Sequence, residues 1–148
     1  MQTKAILLVE DNSSDEELTI RALNKSGVPL EIAVARDGEQ ALALLLANDP
    51  CPLPDLVLLD LKLPKIAGLD VLTRLRANER TRNLPVIVVS SSTKSEDVVA
   101  AYRTGCSGYM SKGVDYLQFV ESAKILALYW LVHNVPPVPE ITRRMLPA

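Results

Sequence analysis

The chain has 148 residues, a formal net charge of −2 and 48% hydrophobic residues, which suits one globular domain with a sizeable core. Its 16 basic and 18 acidic residues leave no basic excess of the kind that marks a nucleic-acid binder. The longest apolar run, 125–132, is too short to cross a membrane, the N-terminus lacks a signal-peptide pattern, and the cytoplasm is the expected location.

AILLV (5–9) reads as a first strand. A helix is expected from Ser14, where Ser14-x-x-Glu17 has capping-box spacing, with Leu18, Ala22 and Leu23 on one face and a stop at Gly27. EIAVA (31–35) is the second strand, and Asp37 is placed to cap a helix carrying Ala41, Leu42 and Leu45. The Pro-rich stretch 49–54 reads as a long connection. LVLL (56–59) is a third strand, short and apolar enough to be buried on both faces, so Asp60 belongs at its exit; Asp55, before the strand, belongs at the opposite edge. Gly68 precedes a helix with Leu69, Leu72 and Leu75. PVIVV (85–89) is the fourth strand, and Thr93-x-x-Glu96 is expected to box a helix with Val98, Val99 and Tyr102. GYM (108–110) is a weaker fifth strand before a last helix from about Asp115 to Val132. Strict β/α alternation predicts a parallel sheet covered by helices on both faces. Cys51 and Cys106 are too few for a disulfide framework and form no Cys-x-x-Cys pair, so both read as structural or incidental.

The strand exits carry the chemistry, as parallel sheets place it. Glu10 and Asp11 follow the first strand, Asp60 the third, Ser90 the fourth and Lys112 the fifth. Clustered carboxylates raise one another's pKa unless a cation sits among them, and an all-oxygen set suits Mg²⁺. Lys112 then serves as a point charge for an anion and Ser90 as a neutral donor. The pattern points to a phosphoryl site with Asp60 as nucleophilic acceptor. Asp15, Glu16 and Glu17 read as acids favouring a helix N-terminus, and Lys94 as a solvated charge.

LLVEDN (7–12), LVLLDLKLPKIAG (56–68), PVIVVSS (85–91) and GYMSK (108–112) together resemble the receiver domain of two-component response regulators, over about residues 4–132. Asp60 to Ser90 is 30 residues and Ser90 to Lys112 is 22, both ordinary separations in that family. The resemblance implies a (βα)5 flavodoxin-like doubly wound sheet of strand order 2-1-3-4-5. It implies phosphorylation of Asp60 by a partner histidine kinase, with Mg²⁺ held by Glu10, Asp11, Asp60 and the backbone carbonyl of Lys62. Ser90 and Lys112 would hold the phosphoryl group, and Tyr109 would swing between exposed and buried states with it. Lys62 and Ser92, two positions beyond Asp60 and Ser90, would tune the phosphate lifetime. Such a chain is a phosphoacceptor that assists its own phosphoryl transfer and hydrolysis rather than an enzyme acting on others. Two departures stand out: Gly113 where the family usually has Pro after the lysine, and Ser90 for the commoner Thr.

The expected layout is a receiver over 1–133 and a Pro-rich tail over 134–148 with no room for an output domain. ILALYWLV (125–132) is apolar all round a helix, whereas a surface helix buries one stripe. Leu117, Val120, Ala127 and Leu131 are assigned to the chain's own sheet. Ile125, Tyr129 and Val132 then lack an internal partner and, with Trp130, form a candidate homodimer interface. The Tyr-Trp pair and the long loop before the third strand are similar to single-domain regulators that partner bacterial phytochromes, so a bacteriophytochrome is a candidate kinase partner. His133 has no ligand partners at metal spacing and reads as interfacial or solvated.

Rival readings come from other classes. A degenerate receiver serving only as a docking module would keep the fold and lose phosphorylation. A Mg²⁺-dependent phosphatase of the haloacid dehalogenase type would need a D-x-D motif after the first strand, and here the acid ending LLD follows the third. A nucleotide-binding domain lacks both G-x-G-x-x-G and G-K-[ST].

Overall fold

The computed structural model describes residues 2–47, 52–113 and 115–137. The first half of the Pro-rich connection, with Cys51, and the tail from 138 onward lie outside the described residues. Elements alternate as expected: β1 (Lys4–Val9), α1 (Ser13–Asn24), β2 (Leu30–Ala35), α2 (Gly38–Leu45), β3 (Leu56–Leu59), α3 (Gly68–Ala77), β4 (Val86–Ser90), α4 (Ser95–Thr104), β5 (Gly108–Ser111) and α5 (Tyr116–Leu128). The five parallel strands lie in the order β2-β1-β3-β4-β5.

Period-two alternation along the central strands divides the core. Leu7, Val9, Val57 and Leu59 face one layer, built with α2, α3 and α4. Ile6, Leu8, Leu56 and Leu58 face the other, built with α1 and α5. β3 is buried along its whole length, as its apolar run requires. Asp55 is at the far edge, where its carboxylate accepts from Ala5 N–H at 2.8 Å.

Two helix starts differ from the expected capping boxes. α1 begins one residue earlier than Ser14, because Asn12 caps it and accepts from Asp15 N–H at 2.9 Å. α4 has no side-chain cap of its own; Ser92 stands ahead of it, its hydroxyl accepting from Lys94 N–H at 3.3 Å and donating to Asp97 in the first turn. Asp37 caps α2 as expected, accepting from Gln40 N–H at 2.8 Å.

The last helix also departs from the expected register. Its inward stripe is Phe119, Val120, Ala123, Leu126, Ala127 and Leu131, while Leu117 is 76% exposed. Leu117 lies about 120° around the helix from Ala123, outside the arc that the sheet covers. The helix closes in a π turn, Tyr129–His133, sealed by Asn134 N–H donating to the Tyr129 carbonyl at 2.6 Å. Among the described residues no helix is long and apolar enough to cross a membrane.

Candidate functional site

The backbone ladders deliver the site residues. Glu10 N–H donates to the Ala35 carbonyl, Asp60 N–H to that of Val9 and Lys112 N–H to that of Ser90, each just past the end of a strand. Successive strand ends therefore hold their side chains at one edge of the sheet. The segment behind Asp60 is packed tightly enough to exclude side chains: a Cβ on Gly68 would stand 2.3 Å from the Asp60 carbonyl oxygen, and one on Gly38 would stand 2.2 Å from that of Ile66.

Carboxylate oxygens of Glu10, Asp11 and Asp60 lie within 4.8 Å of one another. Glu10 and Asp60 are buried and Asp11 is exposed. The Lys112 ammonium sits among the acids, 2.5 Å from Glu10 Oε1, 3.1 Å from Asp60 Oδ2 and 3.1 Å from Asp15 Oδ2. Asp60 Oδ1 also accepts from Lys62 N–H at 3.2 Å, and Glu10 Oε2 from Asn12 N–H at 3.3 Å. Burial pushes the Glu10 carboxyl up to about 7, the hydrogen bond and charge of Lys112 pulling it back and the charge of Asp60 adding to the rise. Burial alone would lower the Lys112 ammonium, yet its hydrogen bond to Glu10 and the charges of Asp60 and Glu10 hold it above the usual lysine range. Three carboxylates with no nitrogen or sulfur donor fit a hard divalent cation, so the cluster is an acidic divalent-metal site.

Ser90 is buried, and its Oγ accepts from Ser92 N–H at 3.1 Å. Tyr109 is half-buried against the α2–α4 layer and donates its hydroxyl to the Ser92 carbonyl at 2.7 Å. Ser92 thus touches both residues assigned to the switch, and Lys62 is exposed beside Asp60. Sequence reading assigned Asp15 only to the helix terminus; the structure adds its contact with Lys112. The available signal was its place four residues after Asp11, on a first helical turn that begins right at the strand exit. Cys106 is buried, its thiol pushed up by that burial. On the last helix Ile125, Tyr129 and Val132 are exposed as expected, whereas Trp130 is partly buried against the chain's own α1–α5 layer and meets Tyr129 edge-on at 5.2 Å. His133 is exposed.

The family profile of the response regulator receiver domain matches residues 6–124. Curated relatives include the probable methanogenesis regulatory protein FilR2 of Methanothrix harundinacea, 37% identical over 90% of this chain and 88% of that one. Response regulator Rcp1 of Synechocystis sp. is 34% identical over 86% and 89%. Among solved structures, the phosphorylated cyanobacterial phytochrome response regulator RcpA superposes with TM-score 0.85 at 34% identity, covering 93% of this chain and all of its own. The Mn²⁺-bound form of Rcp1 gives 0.82 at 33%, over 91% and 99%. The bacteriophytochrome response regulator RtBRR gives 0.72 at 41%, over 97% and 91%.

Fold, acidic edge and partly buried lysine define a phosphoacceptor module of the receiver class. The chain belongs to the response regulator receiver domain family.

Proposed function

We propose that Asp60 accepts a phosphoryl group from a partner histidine kinase in a two-component relay. The observation that supports it best is Asp60 itself: a buried carboxylate at the exit of β3, paired with Lys112 and within 4.8 Å of two further acids. As the kinase's P–N bond breaks, a bond forms from phosphorus to Asp60 oxygen, and Lys112 turns an N–H toward the transferred oxygens. Mg²⁺, held by Glu10, Asp11, Asp60 and the Lys62 carbonyl, would neutralise the acids and the phosphoryl charge when bound. Ser90 gives up its bond from Ser92 to follow the phosphoryl group, and Tyr109, bonded to the Ser92 carbonyl, moves with that loop. Lys62 and Ser92 border the site and tune the phosphate lifetime, and the chain assists hydrolysis itself.

Residues 1–133 form the receiver and 134–148 a Pro-rich tail, in the cytoplasm. The names of RcpA and RtBRR favour a phytochrome as kinase partner. The apolar residues left exposed at Ile125, Tyr129 and Val132 favour a homodimer along α5, with Trp130 at its margin. Sedimentation of wild type against a Tyr129→Glu, Val132→Glu double variant tests it: the wild type sediments as a dimer and the variant as a monomer. A monomeric wild type with and without phosphorylation ends the dimer reading.

Incubation with Mg²⁺ and a small-molecule phosphodonor tests the main reading. An acid-stable, base-labile adduct on Asp60 is expected. No adduct would leave a docking module, and turnover of organic phosphates would indicate a phosphatase.

A further inference from the structure

The three carboxylates around Lys112 are not equivalent. Its ammonium has three N–H donors, and Glu10, Asp60 and Asp15 use them all. Glu10 and Asp60 also belong to the cluster that fits a divalent cation; Asp15 does not. It stands on the first turn of α1, its side chain 42% exposed at the mouth of the site, and reaches Lys112 from 97 residues away in the chain. Its own backbone is held by the Asn12 cap.

A cation bound to Glu10, Asp11 and Asp60 uses oxygens that otherwise face Lys112, and two cations on the same carboxylates repel. Asp15 is then the one partner left to the ammonium. The backbone is held by Lys112 N–H donating to the Ser90 carbonyl and Gly113 N–H to Ser111 Oγ, but these bonds do not fix the long lysine side chain, and no proline ring follows it. We propose that Asp15 is a positioning residue: it keeps the Lys112 ammonium beside Asp60 while metal occupies the acids, so that the amine is in place for the incoming phosphoryl oxygens. The proposal rests on the phosphoacceptor reading above. An acid that served only the α1 dipole would affect helix stability and nothing at the metal.

The test is calorimetric titration of Mg²⁺ into the full chain as wild type, Asp15→Ala, Lys112→Ala and the double variant, with circular dichroism to show that each is folded. Without Asp15 the metal-free state still gives the ammonium two carboxylates, whereas the metal-bound state leaves it stranded. Mg²⁺ affinity should therefore fall about fivefold in Asp15→Ala and change little when Lys112 is already Ala. An equal fall in both backgrounds would show Asp15 acting on the metal by its charge alone, and no fall in the wild-type background would leave it no role; either overturns the proposal. A second readout is the rate of Asp60 phosphorylation at saturating phosphodonor. Asp15→Asn, which keeps an acceptor for the lysine, should recover much of the rate that Asp15→Ala loses, and an Asn variant as slow as Ala also overturns it. A wild-type chain that binds no Mg²⁺ removes the phosphoacceptor reading together with this one, whereas Mg²⁺ binding indifferent to Asp15 removes this one alone.

Discussion

Two partly buried cations sit near opposite ends of the sheet, and the protein answers them in different ways. Lys112, at the exit of β5, is surrounded by carboxylates. Arg76, at the end of α3, donates among the described residues to backbone carbonyls: to Gly105 at 2.8 Å, Thr81 at 3.0 Å and Arg82 at 3.1 Å. The consequence is visible in their proton affinities. The acids hold Lys112 above its usual range, whereas burial pulls Arg76 below its own. A cation among charged groups can change partners when another ion arrives, because every partner it leaves is itself a ligand. A cation among backbone carbonyls has no such exchange, and it ties the end of α3 to the loop before β4 and the end of α4. Chemistry and construction thus use the same charge with different acceptors.

The largest expected effect falls on the chemical side. Asp60→Asn keeps the side chain's shape and removes the proposed acceptor carboxylate, so phosphorylation by a small-molecule donor should vanish while the circular dichroism spectrum stays native. Stoichiometric label on the Asn variant, measured by intact mass, would move the acceptor elsewhere and dissolve the contrast.

Next comes the structural side. Arg76→Ala leaves three carbonyls without their charged donor, at a cost of about 2–3 kcal/mol in urea unfolding, with the extent of Asp60 phosphorylation unchanged in the folded protein. Loss of phosphorylation without loss of stability would place Arg76 among the functional cations.

A pH series sharpens the carboxylate half. The Glu10 carboxyl is pushed up to about 7 in the folded chain from the ordinary glutamate value of 4.5. Between those values the native state binds the extra proton, so stability of the metal-free protein falls as pH rises through this window, and the full cost stands above pH 7. A divalent cation bound by this cluster would have to displace that proton, so its affinity should rise over the same range. In Asp60→Asn the charge that helps to raise Glu10 is gone, and both trends should shift to lower pH. A metal-free stability that climbs steadily from pH 5 to 7 in chelator would contradict this reading of Glu10.

Much of this was legible in the chain. Buried parallel strands write themselves as short apolar runs, so LVLL fixed Asp60 at an exit, and the same logic carried Glu10, Ser90 and Lys112 to one edge. Local ambiguity hid the rest. Asn12, Ser13 and Ser14 are three candidate caps in a row, and only the backbone decides among them. Asp15 has an adequate reason to stand in a first turn, which masks its contact with a lysine 97 residues away. ILALYWLV is apolar on all sides, so periodicity could not show that Leu117 faces outward or that a π turn ends the helix. Arg76 drew no reading at all from the sequence, since carbonyl acceptors leave no trace there.

The smallest effect tests whether the acids strain the metal-free chain at all. Asp11 is the exposed member of the three, and no hydrogen bond to Lys112 offsets its charge as it does for Glu10 and Asp60. Asp11→Ala should therefore weaken Mg²⁺ binding while raising metal-free stability by about 0.5 kcal/mol, a gain kept small by solvent screening. Urea unfolding in chelator and again in excess Mg²⁺ separates the two: the variant is the more stable protein in the first and gains less from the metal in the second. Should the variant be less stable in chelator, Asp11 supports the fold near Asp60, and the edge is not a set of acids held together against their own repulsion.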